Sequence, residues 1–252
     1  MRNLFTIIAF LFLFAESAFA QGILNPEKFR QYVTFGYNLG ASAPFGLPNT
    51  IRQINSYSPA FTPSLGYEIN YDFSDQWSLG TGIRFDLKGM HVKDSVQYFR
   101  TLITVKSDNG EEGSFEGDFS GTNETSSRNG YLTVPISAGY HVNSWQFKGG
   151  IYLAYLIQSK FEGNVSNGYI RKGGSLGEKV LIDHATFDFA DEVNNFDFGV
   201  HFGAERSLAK RWGLGLTGQI GLRPLFPSSF QGVGYHLYNM FVTVGGSYRL
   251  FD

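Results

Sequence analysis

Three features of the chain predict an all-β fold. Eight segments between residues 31 and 252 alternate apolar with small or polar residues, and a period of two is typical of strands. Glycine is abundant, at 31 of 252 residues, while 17% of residues are aromatic and 17% are charged. Short connections between segments alternate with long ones. Together these features predict an eight-stranded antiparallel up-and-down transmembrane β-barrel with short periplasmic turns and long extracellular loops.

The composition excludes several classes of function. The chain has no cysteine, which excludes a disulfide framework, a cysteine-ligated zinc site and a cysteine nucleophile. The net charge of -2 offers no electrostatic surface for nucleic acid, so no nucleic-acid partner is expected. We also expect no cofactor.

The N-terminal residues predict a Sec signal peptide over residues 1–20. A basic start at Arg2 precedes an apolar stretch over 4–14, and Ala18 and Ala20 form the cleavage pattern before Gln21. The alternative is a short anchor or a buried first helix. After Gln21 no apolar run reaches the ~18 residues that a membrane helix needs. We therefore expect a short periplasmic segment over 21–30 and a barrel domain over 31–252.

Each of the eight segments has one face without charge. In chain order, these apolar faces begin at Val33, Phe61, Trp77, Leu132, Trp145, Phe196, Trp212 and Met240. The opposite faces are rich in glycine, serine and threonine. An eight-stranded barrel has room inside only for closely packed side chains or one small ligand, so the large apolar side chains must point outwards. Lipid is the solvent that an apolar exterior requires, and outer-membrane lipid is the first expected partner.

Charged residues of the small-residue faces are expected to pair inside the barrel, because burial of charge requires a partner. The predicted lumen network consists of Glu68, Arg84, Asp86, Lys88, Lys148, Asp197, His201, Glu205, Arg223 and Arg249.

The connections predict how the barrel is oriented. Those around 74–76, 143–144 and 208–210 are short, whereas 43–60, 89–128, 160–195 and 224–237 are long. A tryptophan follows each short connection, which predicts an aromatic girdle at one membrane interface. The predicted girdle is formed by Trp77, Trp145, Trp212, Tyr71, Tyr140 and Tyr248. The alternative is three unrelated core tryptophans.

Two stretches of the chain resemble known patterns. The end of the chain, with Thr243, Gly245, Tyr248 and Leu250, resembles the assembly signal of bacterial outer-membrane barrels, although Phe251 and Asp252 extend past it. That resemblance implies recognition of the last strand by the barrel-assembly machinery.

The segment Tyr131-Leu-Thr-Val-Pro135-Ile resembles a strand of the PorT-like outer-membrane β-barrel family, as do 150–156 and 196–199 in later strands. The resemblance covers most of residues 31–252 and implies an integral protein of the outer membrane of a Gram-negative bacterium. A few members of that family take part in protein secretion, a role that the resemblance alone does not assign to this chain.

These patterns favour a non-enzymatic protein with a structural or protein-interaction role, including an accessory role in secretion or envelope assembly. Loops on a rigid scaffold are where function concentrates, so a protein partner is expected at the extracellular loops. Segments 99–105 and 180–187 have the composition of strands and are predicted to extend the barrel wall as a docking edge.

Two other functions remain open. His201, Glu205 and Asp197 share one face of a segment, as His–carboxylate groups do in outer-membrane hydrolases, although the chain has no Gly-x-Ser-x-Gly motif. Such a hydrolase would act on lipid or peptide at the barrel rim. A narrow pore or a barrel that binds a small ligand is the second alternative.

An acidic stretch over 107–128 could bind calcium or be a solvated loop. Its acids are Asp108, Glu111, Glu112, Glu116, Asp118 and Glu124. The stretch lacks the ligand spacing of an EF-hand, which favours the solvated loop, and no metal site is predicted.

Overall fold

The computed structural model describes residues 25–106, 112–174 and 176–251. The predicted signal peptide with Ala18, Ala20 and Gln21 lies outside the described residues, as do Asp108 and Glu111. A 3-10 helix over Pro26–Lys28 lies within the predicted periplasmic segment, and the first strand begins at Phe29, slightly before the expected barrel domain.

The described residues form 11 strands and two 3-10 helices, the second helix at Ala190–Glu192. The strands are β1 Phe29–Ala43, β2 Ile51–Pro59, β3 Pro63–Asp72, β4 Trp77–Lys106, β5 Glu112–Val142, β6 Trp145–Gln158, β7 Phe161–Lys172, β8 Lys179–Asp188, β9 Phe196–Ser207, β10 Trp212–Gly221 and β11 Tyr238–Arg249. No helix in the described ranges is long and apolar enough to cross a membrane.

Eight of these strands pair in a closed antiparallel ring. The ring runs β1, β11, β10, β9, β6, β5, β4 and β3, and then returns to β1. First and last strands meet at pairs such as Thr34↔Ser247, and the ring closes on its far side where Trp77 pairs with Tyr140. The sheet is therefore all-β, antiparallel and barrel-like.

The described residues contain three strands more than the eight that the sequence predicts, and these three lie in the predicted long loops. Strand β2 lies within the predicted loop 43–60, and β7 and β8 lie within 160–195. Strands β4 and β5 continue through the predicted loop 89–128, where they pair with each other. The strand-like segments 99–105 and 180–187 are confirmed as parts of β4 and β8. These stretches pack around a buried apolar cluster that continues into the ring at Tyr131 and Tyr152.

The ring is polar inside and apolar outside. Exposed large apolar side chains include Phe35, Leu65, Ile83, Phe147, Ile151, Leu153, Phe198, Phe202, Leu214, Leu216, Val242 and Val244. Buried side chains at the alternate positions include Asn38, Ser64, Asp86, Lys88, Thr133, Gln146, Asp197, His201, Gln219 and Ser247. The prediction of an outward apolar face is confirmed.

Two strands continue far beyond the ring. At ~3.3 Å per residue, the 30 residues of β4 span about 100 Å, whereas a membrane-spanning strand needs about ten residues. We call the structure formed by β2, β7, β8 and residues 89–106 and 112–128 the extension. Its core includes the fully buried side chains of Ile103, Phe119, Val165 and Ile170. Strand β8 returns to β4 at the pair Thr104↔Thr186, which ties the extension together.

Candidate functional site

The first ion pair of the ring crosses its lumen. Glu68 on β3 and Lys148 on β6 are separated by two strands, yet Lys148 Nζ lies 2.6 Å from Glu68 Oε2. Both residues occupy inward positions because they share the parity of the small residues on their strands. The pair therefore links two separate parts of the barrel wall across the lumen, and each charge neutralises the other away from water.

A second layer surrounds Lys88, whose side chain is 1% exposed. Its Nζ lies 3.9 Å from Asp197 Oδ2, again across the lumen, from β4 to β9. Rings of Tyr152, Tyr131 and Phe241 have their centroids 4.8, 5.3 and 6.0 Å from the ammonium. Rings at these distances attract the cation, so Lys88 is held by a carboxylate and three aromatic faces.

The Asp197 carboxylate is hydrogen-bonded by neutral donors as well. Tyr152 donates its hydroxyl to Asp197 Oδ2 at 3.0 Å, and Asn239 donates its side-chain amide to the same oxygen at 2.9 Å. Two charged groups and their polar partners therefore fill the middle of the lumen.

Sequence reasoning missed the aromatic part of this layer. Tyr131, Tyr152 and Phe241 have the inward parity of Thr133, Lys148 and Thr243 on their strands, which was the available signal. Their size argued for the lipid face, but all three are buried in the lumen around Lys88.

Asp86 lies beside this layer and is fully buried. Arg84 Nε donates to its Oδ2 at 2.9 Å, and Ser64 donates its hydroxyl to Oδ1 at 2.7 Å. Both oxygens thus have partners, as a buried carboxylate requires.

His201 and Glu205 lie beside a small polar cavity. It has a volume of about 70 Å³ and is also lined by Glu68, Arg84 and Lys148. Glu205 Oε1 accepts the hydroxyl of Ser247 at 2.7 Å. Since one water molecule occupies about 30 Å³ in the liquid, the cavity is too small for a lipid or peptide substrate.

The structure does not join Arg223 and Arg249 to this predicted network. Arg223 lies beyond the end of β10 and donates to Asn194 Oδ1 at 3.3 Å. Arg249 ends β11 and donates to the backbone oxygen of Phe251 at 2.9 Å. Both lie at the ends of strands, where inward parity alone does not provide a charged partner.

A serine, a histidine and an aspartate meet at the end of the ring that carries the short turns. His141 Nε2 lies 3.1 Å from Ser78 Oγ, 3.2 Å from Gln146 Nε2 and 3.9 Å from Asp72 Oδ1. A catalytic triad places serine and carboxylate on opposite ring nitrogens. Here all three contacts share one nitrogen, and Asp72 also pairs with Arg30, so the cluster lacks that geometry.

The predicted girdle residues lie at this same end. Trp77, Trp145 and Trp212 are the first residues of β4, β6 and β10, and all three are exposed. Trp77 packs on Tyr140 and Trp212 on Tyr248, with ring centroids 4.9 and 4.8 Å apart. Tyr71 packs on Phe29 at 4.9 Å.

Of the residues that resemble an assembly signal, Thr243, Gly245 and Tyr248 lie on β11, between β1 and β10, and Leu250 follows that strand. Thr243 donates its hydroxyl to Asn38 Oδ1 at 2.6 Å. Gly245 pairs with Gly36 on one side and Gly215 on the other, and a Cβ on Gly245 would overlap the backbone oxygen of Phe35. Leu250 donates its backbone N–H to Gln31 at 3.0 Å.

The structure describes part of the acidic stretch 107–128, and the acids in that part lie on β5. Three of them face basic residues. Glu116 and Asp118 approach Arg100 at 2.5 and 3.8 Å, and Glu124 approaches Lys93 at 3.8 Å. Within residues 25–106, 112–174 and 176–251, no group of three or more acidic or histidine side chains could hold a metal ion.

Comparisons with known proteins place the chain among bacterial envelope proteins. The model of a family described as "Outer membrane protein beta-barrel domain" matches residues 19–227, which is more than half of the chain. No curated protein matches.

Several solved structures are similar at low identity. The Yersinia pestis outer membrane protein Ail, in a phospholipid bilayer nanodisc, is 11% identical and has a TM-score of 0.31, with 88% of this chain and 99% of that chain covered. OprG from Pseudomonas aeruginosa is 11% identical, with a TM-score of 0.32 and coverage of 89% and 95%. The outer membrane protease OmpT from Escherichia coli is 12% identical, with a TM-score of 0.29 and coverage of 88% and 94%.

Proposed function

This chain belongs to the outer membrane protein beta-barrel domain family, and from that membership we propose a non-enzymatic protein that presents the extension to a protein partner outside the cell. The protein is an integral protein of the outer membrane. In the proposal, the eight strands of the ring span the membrane as an up-and-down barrel. The motif at Tyr131–Pro135 further supports membership of the PorT-like group.

The inverted polarity of the ring is the observation that carries the membrane-spanning part of the proposal. Leu65, Ile151 and Leu216 are exposed on the outer face, whereas Asp86, Lys88 and Asp197 are buried in the lumen. In water this arrangement would expose the apolar band and bury charge, which is unfavourable on both counts. In a bilayer the same band faces acyl chains.

The proposed orientation follows from the two unequal ends of the ring. Connections 73–76, 143–144 and 208–211 are short and lie at the end with Trp77, Trp145 and Trp212. Outer-membrane barrels have short turns on the periplasmic side and longer segments outside. The extension, at the opposite end, therefore belongs outside the cell.

The extension is the surface we propose for a protein partner. It carries exposed apolar side chains at Leu181 on β8 and Ile54 on β2, and Leu181 is 76% exposed. Strand β2 pairs with β4 along one side. An extended peptide adds readily to a strand edge, and a rigid sheet makes that edge available without an ordering cost. A structural role and an accessory role in secretion or envelope assembly are both compatible with such a surface.

The small lumen cavity supports the absence of enzymatic activity. His201 and Glu205 lie beside about 70 Å³ of space among paired charges, where they can neutralise the lumen. An outer-membrane hydrolase is the rival. We expect His201→Ala and Glu205→Gln to leave envelope lipid and protein turnover unchanged, and loss of such an activity from a folded variant would favour the hydrolase.

The orientation can be tested with single cysteines, because the chain has none of its own. Leu181→Cys should react with a membrane-impermeant maleimide on intact cells. Ser144→Cys, in a short turn, is the matched control and should react only after the outer membrane is permeabilised. The reverse pattern would overturn the orientation.

The partner can be tested with a photo-crosslinking residue at position 181 in living cells. We expect an adduct of one discrete mass, and none from a crosslinker at Leu153, which lies on the exposed apolar band of the ring. No adduct at position 181, or the same adduct at both positions, would contradict the interaction role.

A further inference from the structure

A second cavity lies where the upper ring meets the extension. It has a volume of about 210 Å³ and is lined by β1, β2, β4, β5, β7, β8 and the segment between β10 and β11. Its inner wall is formed by the buried side chains of Met90, Phe99, Phe161, Phe187 and Leu237. An apolar cavity of about 150 Å³ is enough to bind benzene, so this one can hold an aromatic ring and a short chain.

One side of this cavity is open. Leu47, Ile54 and Tyr57 line it and are exposed, so they form its rim along β2 and the residues just before it. Elsewhere in the lining, Thr101 on β4 and Val233 form a backbone bridge. A small molecule could therefore enter past the rim and reach a wall that is already formed.

A carboxylate breaks the apolar lining. Asp94 on β4 lines the cavity and is 4% exposed. Asn123 donates its side-chain amide to Asp94 Oδ1 at 2.9 Å. In the described part of the chain, no ion pair of Asp94 with a cation is found. A buried carboxylate without a cation is costly, which makes this position unusual for a purely structural residue.

Two further buried polar atoms of the cavity lining can accept a hydrogen bond, one on Asn123 next to Asp94 and the other farther along β4. Asn123 Oδ1 and Thr101 Oγ1 are buried without a hydrogen-bond partner among the described residues. Both residues line the cavity. The amide oxygen and the carboxylate only accept, so the polar part of the cavity suits a ligand group with several N–H donors and a positive charge.

We propose that this cavity binds a small primary amine with an apolar body of about one aromatic ring, with its ammonium group at Asp94. The apolar body would lie against Phe99, Phe161 and Phe187. This site is independent of the protein partner proposed for the outer surface of the extension.

The ionisation of Asp94 makes the proposal dependent on pH. Asp94 lies 17 residues after Trp77 and therefore beyond the membrane-spanning part of β4. Burial raises the pKa of its carboxyl to about 6, while the hydrogen bond from Asn123 opposes that rise. The other titratable groups that line the cavity among the described residues are Tyr57 and Tyr235, from β2 and the segment before β11. Burial, together with the nearby Asp94, raises the pKa of Tyr235, so Tyr235 does not change charge near pH 6.

The test is an NMR titration of the full barrel in phosphatidylcholine nanodiscs, followed at the side-chain amide of Asn123. Phenethylamine should bind at pH 7.5, and 2-phenylethanol, its neutral analogue, should bind at least about tenfold more weakly. Lowering the pH to 5 should weaken amine binding about tenfold, because about nine in ten Asp94 carboxyls are then protonated.

Variants identify the group responsible. Asp94→Asn keeps the shape and should weaken amine binding at least about tenfold and remove its dependence on pH. Asp183→Asn makes the same chemical change at an exposed position of β8 and should bind like the parent chain. Equal binding of amine and alcohol, unchanged binding by Asp94→Asn, or no binding of phenethylamine would each overturn the proposal.

Discussion

Lys148 on β6 reaches across the lumen to Glu68 on β3, with 2.6 Å between Nζ and Oε2, although β4 and β5 separate their strands in the ring. The pair links opposite parts of the wall directly. Lys88 and Asp197 make a second crossing from β4 to β9. Charged pairs thus brace the interior of the ring.

Removing one member of the Glu68–Lys148 pair should destabilise the barrel more than removing both. Lys148→Met leaves Glu68 buried without its cation, and the expected loss is about 3 kcal/mol of the free energy of unfolding. The double variant Glu68→Leu/Lys148→Met should recover most of that loss. Urea unfolding from lipid vesicles measures each value.

The exposed pair of Lys160 and Glu162, 2.8 Å apart, is the matched control. Because both side chains are nearly half exposed, Lys160→Met should cost less than about 1 kcal/mol. Equal losses at the two sites would contradict a buried brace.

The barrel should not conduct ions. Lys88, Tyr131 and Tyr152 are almost completely buried and fill the middle of the lumen. In planar bilayers we expect no conductance steps from the parent chain and measurable steps from Tyr131→Ala/Tyr152→Ala. Tyr155→Ala, on the outward parity of β6, should stay silent. Steps from the parent chain would favour the narrow pore.

Closure between β1 and β11 should depend on Gly245. A Cβ there would overlap the backbone oxygen of Phe35, so Gly245→Ala must push β1 and β11 apart. We expect a lower yield of the compact, heat-modifiable form on unboiled gels. Gly149→Ala is the control, because a Cβ at Gly149 meets nothing within 4 Å.

This experiment also bears on assembly. If the assembly machinery reads the last strand, Gly245→Ala should slow insertion in cells more than folding into detergent. If Gly245→Ala slows insertion in cells and folding into detergent equally, the glycine serves strand closure alone. If the variant gives a normal yield in both experiments, Gly245 is needed neither for closure nor for recognition by the assembly machinery.

The extension should be more stable at low pH than at high pH. The pKa of Asp94 is raised from 3.8 to about 6, so its neutral form favours the folded state. That contribution is complete below the unfolded pKa and is lost as the pH rises through about 6. By linkage the difference between pH 3.5 and 8 is at most about 3 kcal/mol.

Hydrogen exchange of β4 and β5 amides, corrected for intrinsic rates, measures this difference. Asp94→Asn should remove the dependence on pH and should protect these amides better at pH 8 than the parent chain. If the amide protection of the parent chain stays constant from pH 3.5 to 8, Asp94 makes no pH-dependent contribution to the stability of the extension.

The parity of the sequence was sufficient to predict the ring. Alternation with period two is a local property, so positions such as Ile151 and Lys148 could be assigned to opposite faces without knowledge of the fold. The apolar size of one face and the narrow interior of eight strands then determined which face meets lipid. Trp77, Trp145 and Trp212 could be placed together because each follows a short turn.

Other features depended on the tertiary structure. Which charges pair depends on the register and stagger of strands across the ring, so parity could not match Glu68 with Lys148 or exclude Arg223. The sequence did not predict that the strands of the extension form one packed unit, because Ile103, Phe119 and Val165 form a core only when distant strands are brought together. The cavity at Asp94 is lined by seven separate parts of the chain, and a pattern read along one strand contains none of that information.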